Sequence, residues 1–201
     1  MSSSHQTCLD ILGLARARVR QGCEQILELL LDTGSALHYA VKGGRTELLE
    51  RLLEEGAALD EVNEYGMRPL AYAAGVEDEA AALKMALFLL SRGAVVDSFA
   101  EDRHFRRSTA PESSTPLHEA AKAGHLAVAR MLLEHGATTS VKDASGYHPF
   151  HLAAKHGHAS VVHELCAHGV STDSMTRDGL TASDLATADS VKDALRRHVK
   201  S

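Results

Sequence analysis

The chain has 201 residues, 44% hydrophobic and 24% charged, an ordinary balance for one soluble domain with a buried core. Its formal charge of -6 excludes a global attraction to nucleic-acid phosphates or to an anionic membrane, so any basic contact has to be local.

Residues 8–31 read as a helix, with Leu12, Val19, Cys23, Ile26, Leu27 and Leu30 mostly three or four apart. The first twenty residues lack an early basic region, Asp10 interrupts their short apolar run, and no stretch approaches the ~18 apolar residues of a membrane span. Cys8, Cys23 and Cys166 are odd in number and form no C-x-x-C. A cytoplasmic or nuclear protein, neither secreted nor membrane-spanning, is therefore expected.

Two-helix patterns follow: "SALHYAVKGGRTELLERLLEEGA" (35–57), "RPLAYAAGVEDEAAALKMALFLLSRGA" (68–94), "STPLHEAAKAGHLAVARMLLEHGA" (114–137) and "HPFHLAAKHGHASVVHELCAHGV" (148–170). They align on Leu37, Leu70, Leu117 and Phe150, at separations of 33, 47 and 33 residues, so the second unit carries 14 extra residues. The composition of "SFAEDRHFRRSTAPESS" (98–114) places that insertion in a loop. A shortened fifth unit, "DGLTASDLATADSVKDALRRHV", closes the series. Ser35, Thr115 and Thr181 are suited to cap first helices, and Pro69, Pro116 and Pro149 to the first helical position. Gly44, Gly124 and Gly157 end first helices; Gly56, Gly93, Gly136 and Gly169 close second ones.

"TPLHEAAKAGH" followed by "ARMLLEHGA" resembles the ankyrin repeat family, and the resemblance covers roughly residues 34–200. It implies an all-α solenoid of stacked helix pairs with short hairpin-like loops between them. The expected divisions are a capping helical segment at 1–33, repeats at 34–66, 67–113, 114–146 and 147–179, and a degenerate polar capping repeat at 180–201. Arg68 and Ala71 stand where the family pattern has Thr and His, which makes the second unit the least regular.

Thirteen histidines invite a metal reading, but the register assigns seven of them to structural positions: His38, His118, His151, His125, His158, His135 and His168. The resemblance implies that the first three bind the backbone of an adjacent turn. Equivalent side chains on packed helices sit about 10 Å apart, whereas zinc needs three or four ligands at about 2.0–2.1 Å. There is no G-x-S-x-G, P-loop or H-E-x-x-H. No cofactor, no metal and no catalytic residue is expected; the alternatives are a His-rich metal-dependent hydrolase, and a nucleic-acid cofactor acting through "RHFRR" and "RRHVK".

The resemblance implies instead a monomeric, non-enzymatic adaptor or inhibitor binding a protein partner on its concave face. The register places Val62, Glu64, Tyr65 and Met67 on the first hairpin, Lys142 and Tyr147 on the third, and Met175, Arg177 and Leu180 on the last. Lys42, Lys122 and Lys155 each follow their marker by five residues, forming a line beside His156 that would steer an acidic partner. Arg103, Phe105, Arg106, Arg107 and Thr109 form a candidate regulatory loop, with "RRST" resembling a basophilic kinase site.

Overall fold

In a computed structural model, residues 35–63, 66–97, 114–143 and 145–198 are described. The expected capping helix at 8–31 lies outside them, as do Glu64, Tyr65 and the loop candidates Arg103, Phe105, Arg106, Arg107 and Thr109. The described residues fold into helices alone, with no strand: α1 (Ser35–Lys42), α2 (Thr46–Glu54), α3 (Pro69–Ala74), α4 (Glu79–Ser91), α5 (Pro116–Ala123), α6 (Leu126–Glu134), α7 (Pro149–Lys155), α8 (Ala159–Ala167), α9 (Ala182–Leu185) and α10 (Asp189–His198).

Each odd-numbered helix packs on the even-numbered helix that follows it in the first four units, and the odd-numbered helices pack successively as an inner row, α1 on α3 through to α7 on α9. Helices α4, α6, α8 and α10 form the outer row. The inner row is close because its buried positions are small: Ala36, Ala40, Ala73, Ala74, Ala120, Ala121, Ala153 and Ala154. Leu37, Leu70, Leu117 and Phe150, the repeat markers, are all buried between the rows. Each unit thus hides its apolar face against the next, and one core runs the length of the stack.

Helix starts follow the local chemistry. Pro116 opens α5 after Thr115, whose hydroxyl accepts the His118 N–H, and Thr181 caps α9 in the same way. Helix α1 begins at Ser35 itself. Arg68 gives α3 no side-chain cap; its guanidinium donates to the Asp60 carbonyl at 3.2 Å. The acidic run before α4 works at a helix start: Asp78 accepts the Ala81 N–H at 2.9 Å, and Glu79 lies in the first turn, where a carboxylate meets the positive end of the dipole. Helix α10 buries Val191, Ala194 and Leu195.

The second unit departs from the others in the length of its second helix. Helix α4 has 13 residues against nine in α2, α6 and α8, so four of the 14 extra residues are helical and the insertion is not confined to the loop.

Candidate interaction surface on the inner face

The hairpin tips repeat one device. Asn63 N–H donates to the Met67 carbonyl and its side-chain oxygen accepts the Met67 N–H, both at 3.0 Å. Asp143 closes on Tyr147 and Thr176 on Leu180 in the same pattern. A short polar side chain therefore fixes each tip and sets the direction of Met67, Tyr147 and Leu180.

The histidines of the inner helices tie these tips down. His38 Nε2 lies 2.9 Å from the Met67 carbonyl, His118 Nε2 3.0 Å from that of Tyr147, and His151 Nε2 2.8 Å from that of Ser174. In His118 and His151 the Nδ1 accepts the N–H of Thr115 and His148, so the proton sits on Nε2 and is donated to the carbonyl. Burial lowers the pKa of both imidazoles, which fixes the neutral form that this arrangement needs. His125 reaches the Val76 carbonyl, His158 that of Lys122, and His135 and His168 those of Met131 and Glu164 in their own helices. All seven register histidines thus bond to backbone. Among the described residues no three His, Cys, Asp or Glu side chains are grouped so as to hold a metal ion. The Cys166 thiol, half-buried in α8, is pushed up to about 11 by burial and stays protonated.

The proposed binding residues are arranged along this scaffold. Lys42, Lys122 and Lys155 are exposed at the ends of α1, α5 and α7, and His156 is exposed next to Lys155. Met175, Arg177 and Leu180 are exposed on the last tip, Met175 at 56%. Val62, Met67 and Tyr147 are half-buried. Lys142 is exposed, and its ammonium donates to the Met175 carbonyl at 3.0 Å, linking the last two tips.

Four of the expected residues meet in one place. Lys122, Tyr147, Lys155 and His156 border a shallow pocket of about 100 Å³ between the third tip and helices α5 and α7. Its remaining wall includes Ser114, Glu119, Asp143, Ser145 and Leu152. The Lys155 ammonium lies 4.8 Å from the Tyr147 ring centroid, a cation–π contact that holds both side chains. The pKa of His156 is lowered by burial first, then by the positive charges of His158, Lys155 and Lys122.

One row escaped the sequence reading. Two residues after each marker stand Tyr39, Tyr72, Glu119 and Leu152. Tyr39 is 59% exposed, the most exposed large hydrophobic residue described; Tyr72 is half-buried with its ring edge-on to His38. The register that singled out the fifth position after the marker also contained this row, and two tyrosines in four places were its signal.

A family model for ankyrin repeats, in three copies, matches residues 14–100 and 92–178. A 65-residue segment is 37% identical to the palmitoyltransferase ZDHHC13 of Mus musculus and 38% identical to that of Homo sapiens. The segment is 32% of this chain and 9% of each relative, so the chain matches less than a tenth of the curated relatives' length.

Proposed function

Because the chain belongs to the ankyrin repeat family, whose repeats are protein-interaction modules and typically non-enzymatic, we propose that it is an adaptor or inhibitor holding one protein partner on its inner face. The observation that carries this reading is a set of large apolar side chains left exposed on rigid supports. Tyr39 stands on α1, Met175 and Leu180 on the last tip, and the Tyr147 backbone is held by His118 and Asp143. Interface anchors are of this kind: large, preorganised and drawn from aromatic residues. The same face carries Lys42, Lys122, Lys142, Lys155 and Arg177, which would accelerate encounter with an acidic partner. Cytoplasmic or nuclear residence as a monomer completes the proposal, and the odd, widely spaced set Cys8, Cys23 and Cys166 supports a reducing compartment.

Cross-linked complexes isolated from the native cell extract test the reading. Tyr39→Ala and Leu180→Ala should each weaken partner retention by more than about 1 kcal/mol, as anchor truncations do, without moving the unfolding midpoint. Glu54, exposed on α2, is the outer-face control; Glu50 is unsuitable because its carboxylate pairs with Arg92 at 2.8 Å. Loss of the partner in Glu54→Lys with full retention in both inner-face variants would place binding on the outer helices.

A further inference from the structure

Three hairpin tips share one frame and differ in the residue that precedes their glycine. Asn63 to Met67, Asp143 to Tyr147 and Thr176 to Leu180 are each closed by the same pair of bonds between their first and last residues. The fourth residue is glycine in all three, Gly66, Gly146 and Gly179, at φ +72°, +84° and +74°. Only glycine takes up that backbone readily, so the fold dictates this position. The residue before it is free to vary, and Tyr65, Ser145 and Asp178 stand there. Asp178–Gly179 is the only Asp-Gly pair in the sequence, which has no Asn-Gly.

The tip at 176–180 is also open. A Cβ at Gly146 would lie 2.8 Å from the Cβ of Arg177 and 3.1 Å from its backbone nitrogen, so the third unit's tip is covered by the next one. A Cβ at Gly179 would meet nothing within 4 Å; Gly66 is equally open but follows a tyrosine. Asp178 is exposed and, among the described residues, has no hydrogen-bond or ion-pair partner. Two other hairpin aspartates are occupied: Asp143 is buried and accepts the Tyr147 N–H at 2.8 Å, and Asp97 accepts the Thr138 N–H at 2.9 Å. The Gly179 N–H donates to the Thr176 carbonyl at 3.2 Å, at the long end of the range for such bonds, in an exposed loop that opens without disturbing the core.

We propose that Asp178–Gly179 is a self-modification site, at which the backbone of this tip rearranges to isoaspartate. The Gly179 nitrogen attacks the carboxyl carbon of the Asp178 side chain and gives up its proton. The new C–N bond closes a succinimide ring, and the carboxyl oxygen leaves as water. Water then reopens the ring at either carbonyl. Opening at the α-carbonyl breaks the original bond to Gly179, so the chain runs on through the side-chain carbon and a free α-carboxylate remains. The step needs no oxidant and no cofactor. Glycine puts no side chain beside the attacking nitrogen, which makes it the least hindered residue for this attack. The product carries one extra methylene in a loop held by the Thr176 N–H to the Leu180 carbonyl at 2.9 Å and by the Leu180 N–H to Thr176 Oγ1 at 3.2 Å, so these bonds lose their register. Leu180 shifts with them, next to Thr181, the cap of α9. The site stands independently of the inner-face reading.

The test ages the whole folded chain in mildly acidic buffer, then unfolds it and digests it with a protease that cuts before aspartate but not before isoaspartate. Cleavage before residue 178 should be progressively lost, while cleavage before Asp143 and Asp173 is kept. An isoaspartate-specific methyltransferase should transfer a methyl group from S-adenosylmethionine to the peptide that contains residue 178. Asp178→Glu keeps the charge and should abolish that transfer, because a side chain one carbon longer does not close this ring. Ser145→Asp sets the same pair beneath Arg177 and should lose its new cleavage site more slowly than residue 178 does. Amide hydrogen exchange across 176–180 should rise on ageing in the wild type and stay constant in Asp178→Glu. Retained cleavage before residue 178, loss before Asp173 at the same rate, or methyl transfer to that peptide in Asp178→Glu would each overturn the proposal. Equal rates at positions 145 and 178 would overturn the role given to the open tip.

Discussion

Replacing Gly124 by alanine separates two costs that the structure makes additive. Gly124 closes α5 at φ +80°, in the left-handed region where an L residue loses about 1–2 kcal/mol. The new Cβ would also lie 2.4 Å from His158 Nδ1 and 2.5 Å from its Cε1, so the imidazole must leave and its bond to the Lys122 carbonyl, at 3.0 Å, is lost. That adds about 0.5–1.5 kcal/mol, for a total near 2–3 kcal/mol. Gly136 supplies the control, because at φ +86° it has the same backbone requirement, and a Cβ added there would meet nothing within 4 Å. Gly136→Ala should therefore cost only the backbone part, and effects on the unfolded chain cancel between the two variants. In urea titrations the midpoint of Gly124→Ala should fall below that of Gly136→Ala by about 1 kcal/mol equivalent at unchanged slope. In a His158→Ala background that excess should vanish. Equal losses for both glycines, or an excess that persists without His158, would refute the placement of the imidazole against the α5 turn.

The stack should depend on its inter-unit core: Leu132→Ala, at 0% exposure, should cost about 2–5 kcal/mol in the same titration. Stability should also fall with acid. His118 and His151 have native pKa values lowered from 6.5 by burial, so below that pH the unfolded chain binds protons that the native chain refuses. The contribution is complete above about pH 7 and is lost as the pH falls from 6.5 toward the lowered values, by at most about 1.4 kcal/mol per pH unit for each imidazole. Urea midpoints at pH 7.5, 6.5 and 5.5 measure it, and His118→Gln should reduce the slope.

What was legible in the sequence was whatever the backbone demands of one residue at a time. A proline at a first helical position, a threonine before it and a glycine after the last turn each solve a local problem, so Pro116, Thr115 and Gly124 keep their roles in the fold. The inner histidines were legible for a related reason: each recurs with the period, and His38 and His118 make equivalent bonds to the carbonyls of Met67 and Tyr147, 29 residues on, while His151 meets that of Ser174, 23 residues on. The candidate site was legible only in part, because a pocket is a relation among units. Spacing placed Lys122 and Lys155 on one line, but the Lys155 contact with Tyr147 and the turning of Glu119 toward Gly75 depend on side-chain directions that periodicity does not contain. Asp97 shows the same limit. Its carboxylate accepts the N–H and hydroxyl of Thr138 in the next unit, a contact set by side-chain direction.

The second unit shows why an insertion is hard to place by composition. Counting back from the closing glycines, Leu49 and Leu52 correspond to Ala86 and Leu89, Ala129 and Leu132, and Val162 and Leu165, and all eight are buried. Core phase is therefore kept from the hairpin end, and the four added residues, Glu79–Ala82, form an extra turn at the other end of α4. A four-residue addition turns a helix of 3.6 residues per turn by only about 40° beyond a full circle, so the buried stripe continues through it. Because α4 is apolar on most of its circumference, its sequence shows no sharp stripe from which a thirteen-residue helix could be told from a nine-residue one. The extra turn also makes a bond of its own: Glu79 Oε1 accepts the Ala127 N–H at 2.7 Å. This unit has Arg68 and Ala71 where the others at that end offer a cap or a carbonyl-binding imidazole, and its added turn supplies the Glu79 contact to the third unit. The lengthened helix thus adds a point of attachment between the second and third units, beside the Asp97 contact with Thr138.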